Sequence, residues 1–147
     1  MTTIRYDEAY KMVSDELSRV MGRLSALGAN GDNISYNDEN MDEDLIQSEL
    51  KNALEELENV KYRIEYLNKP VIEHGTLSKG EDGKYQIKEG GAKLSSGFTC
   101  EILYRSDAYD EPYWLITSVE FDHVTGDYYS TELGRGYQLE GAYIRIR

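Results

Sequence analysis

Apolar side chains recur in alternating steps of four and three through the first part of the chain, at Tyr6, Tyr10, Val13, Leu17, Val20, Leu24 and Leu27. That alternation holds one stripe of an α-helix, so it reads as a heptad seam. It predicts a helix over residues 4–27, with Thr3 as N-cap, Asp7 and Glu8 near the positive end of the dipole, and Gly28 placed to end it in a left-handed conformation. Residues 28–40 are rich in Gly, Asn and Asp and have no period, so they read as a connecting loop. The alternation then resumes at Ile46, Leu50, Ala53, Leu57, Val60, Ile64 and Leu67 and predicts a second helix over residues 41–68. Asn40, with Glu43 three residues on, resembles a capping box. The simplest burial for two such seams is against each other, as an antiparallel, coiled-coil-like hairpin. An isolated pair is marginal, and further burial on the rest of the chain or on a second copy is expected. Leu45, Leu54, Tyr62 and Tyr66 lie off the seam and widen the apolar face of the second helix.

The period changes at Asn68-Lys69-Pro70, because proline cannot continue a helix and disfavours helical geometry in the residue before it. Short runs of strand character follow at residues 74–78, 84–88, 98–104, 113–121, 127–131 and 142–146, several bounded by glycine turns such as Gly80-Glu81-Asp82-Gly83 and Gly134-Arg135-Gly136. Closure removes sheet edges economically at this size, so a small SH3-like antiparallel β-barrel is expected over residues 70–147, after a helical hairpin over residues 1–69. The fold class is therefore α+β. Alternation assigns Phe98, Cys100, Ile102 and Tyr104 to one face and Ile144 and Ile146 to the core, with Trp114, Ile116, the Val119 region and Leu139 expected to complete it.

Little in the chain is arranged for chemistry. Cys100 is the only cysteine and sits within a strand pattern, which makes it a small apolar residue rather than a nucleophile. His74 and His123 are the only histidines, and their spacing does not place two ligands or an acid–base pair on one face. Asp38, Asn40, Asp42, Asp44 and Glu49 match positions 1, 3, 5, 7 and 12 of a calcium-loop template, but Glu43 stands where the sharp turn requires glycine, and acids at a helix start explain the same residues. The expectation is a non-enzymatic protein with no cofactor and no metal.

Charge narrows the partner classes. The 147 residues carry a formal net charge of −12, which opposes direct binding to nucleic acid and to anionic membranes and favours a basic protein surface. The excess spreads over both parts, with 15 acidic and 8 basic side chains in residues 1–70 and 13 and 8 in residues 71–147. The longest apolar runs, such as Trp114-Leu115-Ile116, are far too short to span a bilayer, and residues 1–8 have neither the basic nor the apolar segment of a secretory signal. A cytoplasmic location is expected.

The strand-and-turn order of the second part, including Gly83-Lys84-Tyr85-Gln86-Ile87, Leu94-Ser95-Ser96-Gly97-Phe98-Thr99-Cys100-Glu101-Ile102-Leu103, Trp114-Leu115-Ile116-Thr117-Ser118-Val119-Glu120, Gly126-Asp127-Tyr128-Tyr129 and Glu140-Gly141-Ala142-Tyr143-Ile144-Arg145-Ile146-Arg147, resembles a family of small proteins carried on mobile elements and prophages of Gram-positive bacteria. The family is known only as a domain of unknown function, and the resemblance covers roughly residues 74–147. It transfers no functional residues. What it implies is context: an accessory protein of a mobile element, a setting in which acidic inhibitors of host defences, of anti-CRISPR and anti-restriction type, occur.

Two binding surfaces are expected from these observations. One is the acid set Asp38, Glu39, Asp42, Glu43, Asp44, Glu49, Glu55, Glu56 and Glu58, whose carboxylates would compete with phosphates for Lys and Arg on a basic protein partner. The other is aromatic: Tyr109, Tyr113, Tyr128, Tyr129 and Tyr137 would give contact area with little entropy lost, as the recognition surface of an adaptor that dimerises through its hairpin.

Overall fold

The computed structural model describes residues 2–88, 90–108 and 110–147, which fall into two units, Met1–Lys69 and Pro70–Arg147. In the first, helix α1 spans Tyr6–Leu24 and helix α2 spans Met41–Leu67. Helix α1 is shorter at both ends than the expected span of residues 4–27. It begins after Arg5 with no side-chain cap, so Thr3 does not serve as one, and its last turn tightens into the 3₁₀ segment Ser25–Leu27. Gly28 takes a positive φ of 82° with ψ 174°, an extended arrangement rather than the left-handed helical one expected. The loop contains a further 3₁₀ turn, Ala29–Gly31.

Helix α2 starts as its sequence demands. Asn40 Oδ1 accepts the amides of Asp42 (3.0 Å) and Glu43 (3.2 Å). The Glu43 carboxylate does not complete a capping box; it accepts the Asn37 amide at 2.7 Å and fastens the loop instead. The helices run in opposite directions. The Tyr10 hydroxyl donates to the Ile64 carbonyl at 2.6 Å, while Gly31, further along the chain, lies against the Leu54 side chain.

The second unit is one antiparallel sheet of six strands in the order β2-β1-β6-β3-β4-β5: β1 Glu73–Lys79, β2 Tyr85–Ile87, β3 Phe98–Tyr104, β4 Tyr113–Asp122, β5 Asp127–Ser130 and β6 Tyr143–Ile146. The sheet curls into a half-barrel. No ladder joins β2 to β5 among the described residues, so the expected barrel is open; β2 and β5 end the strand order, and the outer side of β2 is taken by residues 92–94, where the Ile87 amide donates to the Ala92 carbonyl and the Leu94 amide to that of Tyr85. Cys100, Ile102, Val119, Leu139, Ile144 and Ile146 are buried in the core as expected, together with Leu77, Ile87 and Leu94.

Trp114 and Ile116 are a correction. Strand β4 is continuous, with Leu103 opposite Trp114, Glu101 opposite Ile116 and Phe98 opposite Val119. Side chains alternate along a strand, so Val119 and Trp114 cannot share a face, and Val119 takes the core. Trp114 stands on the outer face, where the Arg145 guanidinium lies 4.1 Å from its ring centroid. On that face Glu101 is buried beneath two arginines, accepting from Arg145 Nη2 at 2.9 Å and Arg147 Nε at 2.8 Å.

Gly91 shows where the backbone leaves no room. A Cβ there would run into the Ile87 carbonyl oxygen, and no rotamer change relieves a clash with backbone. Gly91→Ala is therefore expected to destabilise the fold by about 3 kcal/mol, whereas Gly136→Ala, which meets nothing within 4 Å, should change it by less than about 0.5 kcal/mol. Glu101→Gln leaves two guanidinium groups over an uncharged amide and should cost about 3 kcal/mol. Urea denaturation followed by the single tryptophan, Trp114, measures all three.

Candidate functional site

The nine acids of the first unit do not form one surface. At about 100° per residue, Asp42, Glu49 and Glu56 lie in one row, beside the heptad seam of α2. Asp44, Glu55 and Glu58 lie in a second row about 140° around the helix. Asp38 and Glu39 precede the helix, and Glu43 is turned back to Asn37. Asp42, Glu43 and Asp44 sit in the first turn, where the free amides favour negative charge. The Glu58 carboxylate bonds the Tyr62 hydroxyl and raises its pKa.

Five cations of this unit are engaged elsewhere: Arg5 with Asp7, Lys11 with Asp15, Arg19 with Glu16, Lys51 with Asp32 and Lys61 with Glu65. Among the described residues, none of the nine acids has a cation within ion-pair distance. The calcium-template residues are spent on helix geometry, since Asn40 caps α2 and Asp42, Asp44 and Glu49 lie along it. No cluster of three metal-ligating side chains occurs among the described residues.

In the second unit the sheet edges define a cleft. Tyr85 on β2 and Asp127 on β5 face each other across the opening of the half-barrel, and the Tyr85 hydroxyl donates to Asp127 at 3.3 Å. Lys79, at the end of β1, pairs with the same carboxylate at 3.2 Å. Side chains thus hold the seam that backbone does not. The cleft beside it, about 350 Å³, is lined by Tyr85, Tyr128, Tyr129, Tyr137, Arg135 and Glu140, among others. Arg135 donates to the buried Asp122 and stacks over Tyr129 at 4.4 Å.

The electrostatics follow from these contacts. Burial would push the Asp127 carboxyl up, but the Tyr128 amide, Lys79 and the Tyr85 hydroxyl outweigh it and hold the group below its usual range. Burial, then Asp127, raises the Tyr85 phenol, and burial, then Tyr104, raises that of Tyr137. Arg135 holds Asp122 low through its hydrogen bond. Cys100 is fully buried, and burial followed by the Glu101 charge pushes its thiol up to about 12, which leaves it protonated and unreactive at neutral pH. His74 Nδ1 lies 2.7 Å from the Tyr143 hydroxyl, and the His123 ring packs on Phe121.

The structure brings three of the five expected tyrosines, Tyr128, Tyr129 and Tyr137, to this cleft. Tyr113 is set back from it and linked through Tyr104, which stacks edge-on with Tyr113 and with Tyr137, each at 5.9 Å. Tyr109 lies outside the described residues. Sequence reasoning missed Tyr85, Asp127 and Arg135. The available signal was Arg135 itself, a cation held between two glycines at a turn. Comparisons with protein-family models, with curated proteins and with solved structures found no match to this chain.

A carboxylate whose folded pKa is depressed stabilises the fold above the unfolded value, about 3.9 for Asp, and that stability is lost as pH falls through the folded pKa. Asp122→Asn should therefore lower stability at pH 6, and the gap from the unsubstituted protein should narrow as pH falls below about 4. Urea midpoints at pH 6, 4 and 2.5 test this; a gap that stays constant with pH contradicts it.

Proposed function

We propose that this chain is a non-enzymatic acidic interaction protein of a mobile element or phage that binds a basic surface on a protein partner. The observation that carries the reading is the set of carboxylates along α2 and its preceding loop with no cation in ion-pair distance among the described residues. Acids that are not neutralised internally keep their long-range field, which speeds encounter with a basic groove and makes binding sensitive to salt. With the resemblance of residues 74–147 to mobile-element proteins, this favours inhibition of a nucleic-acid-binding host defence protein, of anti-CRISPR or anti-restriction type. In this reading the hairpin is coiled-coil-like, and the half-barrel is an SH3-like module that carries it.

A second reading has its own observation. The tyrosine-lined cleft between β2 and β5 supports an adaptor in which the β unit grips a peptide or protein and the hairpin dimerises. Its position between two sheet edges gives a partner aromatic faces together with the carboxylates of Asp127 and Glu140.

Pull-down of purified RNA-guided and restriction nucleases at low salt, repeated at 0.5 M salt, separates the two. The first reading expects capture at low salt, loss at high salt, and affinity weakened by about tenfold when Asp44→Asn, Glu55→Gln and Glu58→Gln are combined. Tyr129→Ala and Tyr137→Ala should leave it unchanged. The absence of any capture at low salt rejects it, and capture lost only with the tyrosine variants favours the adaptor.

A further inference from the structure

Only part of each heptad seam lies where the two helices meet. The face α1 turns inward is Tyr10, Ser14, Leu17, Met21 and Leu24, all partly covered, while Val13 and Val20 on the seam remain 47% and 38% exposed. The inward face of α2 is Gln47, Lys51, Leu54, Glu58 and Lys61, again at steps of four and three, while Ile46, Leu50 and Val60 remain 58%, 44% and 41% exposed. Helix α1 buries no residue and α2 buries only Gln47.

The uncovered apolar line on α1 is rotated from its inward face by about 70°, and that on α2 by about 100°, in the same sense about each helix's own direction. Because the helices run oppositely, equal senses of rotation bring both lines to the same side of the pair. The hairpin thus presents one continuous apolar face. With α1 about 28 Å and α2 about 40 Å long and the pair about 20 Å wide, it covers roughly 600–800 Å², close to what each partner contributes to a standard interface.

We infer that this face packs on the same face of a second copy of the chain, forming a four-helix bundle about a two-fold axis parallel to the helices. Two features of the hairpin select a second copy over another occupant. The first is register. The Tyr10–Ile64 contact sets the level of one helix against the other, and from it Val13 falls level with Val60, Leu17 with Leu57, and Leu24 with Leu50. Each apolar layer is therefore matched across the pair, and a two-fold axis along the bundle repeats it at the same level.

The second is charge. That axis lays α1 of one copy over α2 of the other, so the outer flank of α1 meets the outer flank of α2. The outer flank of α1 carries Arg19 and Arg23, and within about two residues of their levels the flank of α2 carries Glu56 and Glu49. These two positions face the opposite sign within about one helical turn, while Glu16, near the level of Glu56, is held by Arg19 in its own helix. A uniformly basic partner would suit only the α2 side, whereas a second copy complements both, as an isologous interface requires. Arg19 already meets Glu16 within its own helix, and its remaining guanidinium donors are available for Glu56. Asp44 and Glu55 stay on the outside of the bundle, so the inference goes beyond the binding reading above and does not depend on its partner.

Sedimentation equilibrium on the full chain between about 1 and 100 μM tests it. The expected mass is about twice 16.9 kDa. Glu56→Arg alone and Arg19→Glu alone should each weaken association at least about tenfold, since each places like charges together twice across the two-fold axis. The double variant Arg19→Glu/Glu56→Arg should restore it to within about threefold. Both positions are exposed, so loss of folding does not confuse the outcome, and far-UV circular dichroism checks it. A monomer at 100 μM overturns the inference and leaves the face to another occupant, as does a dimer indifferent to the single substitutions or a double variant no tighter than the singles. Nuclease capture by the Asp44 and Glu55 row is read separately, so the two proposals fail independently.

Discussion

The β unit depends on a buried carboxylate. Its sheet consists of two halves, β2-β1-β6 and β3-β4-β5, and the ladder that joins them is the one where β6 lies beside β3, with Glu101 opposite Arg145 and Ile102 opposite Ile144. On the inner face of that short joint the two isoleucines are fully buried. On the outer face Glu101 accepts from Arg145 and Arg147, and Arg145 in turn covers Trp114 on β4. One carboxylate thus ties the last strand to the two strands beyond it. A buried ion pair of this kind adds little over an apolar substitute, but removing either partner strands a charge, which makes the joint specific as well as stable.

The same curl that builds the core leaves the sheet open. Closing six short strands into a barrel would require β2 and β5 to pair, and with three and four residues they have little backbone to offer. Side chains do the closing instead, through Tyr85, Lys79 and Asp127. Edge strands invite pairing with foreign strands. Here β5 is guarded by its own neighbourhood: the Tyr128 amide is taken by the Asp127 side chain, and the Ser130 carbonyl accepts the Gly134 amide. The aromatic cleft is therefore suited to side chains or small groups rather than to an added strand.

The hairpin presents the contrary situation, two helices with almost no burial. Helix α1 carries Ser18, Gly22 and Ser25 near its inward side, and these line a cleft of about 680 Å³ against α2 rather than a packed seam. A pair of helices with one narrow contact is held more by what it will meet than by what it has met. Its open apolar face and its unneutralised acids are two aspects of the same incompleteness.

Periodicity and punctuation were legible in the chain itself. The switch from a four-three step to alternation at Pro70, the cap at Asn40 and every strand, to within one residue at either end, follow from local sterics and hydrogen bonding, which a short window of residues contains. The acids and most of the tyrosines could likewise be named in advance, because composition reveals which groups are available. What the chain could not reveal is which groups become neighbours. The face of each helix that turns inward, the side of β4 on which Trp114 stands, and the meeting of Tyr85 with Asp127 across the open sheet depend on strand order and helix rotation. Those are decided by contacts between residues far apart in sequence, where a rotation of less than one turn, or a shift of one residue, exchanges an inside for an outside.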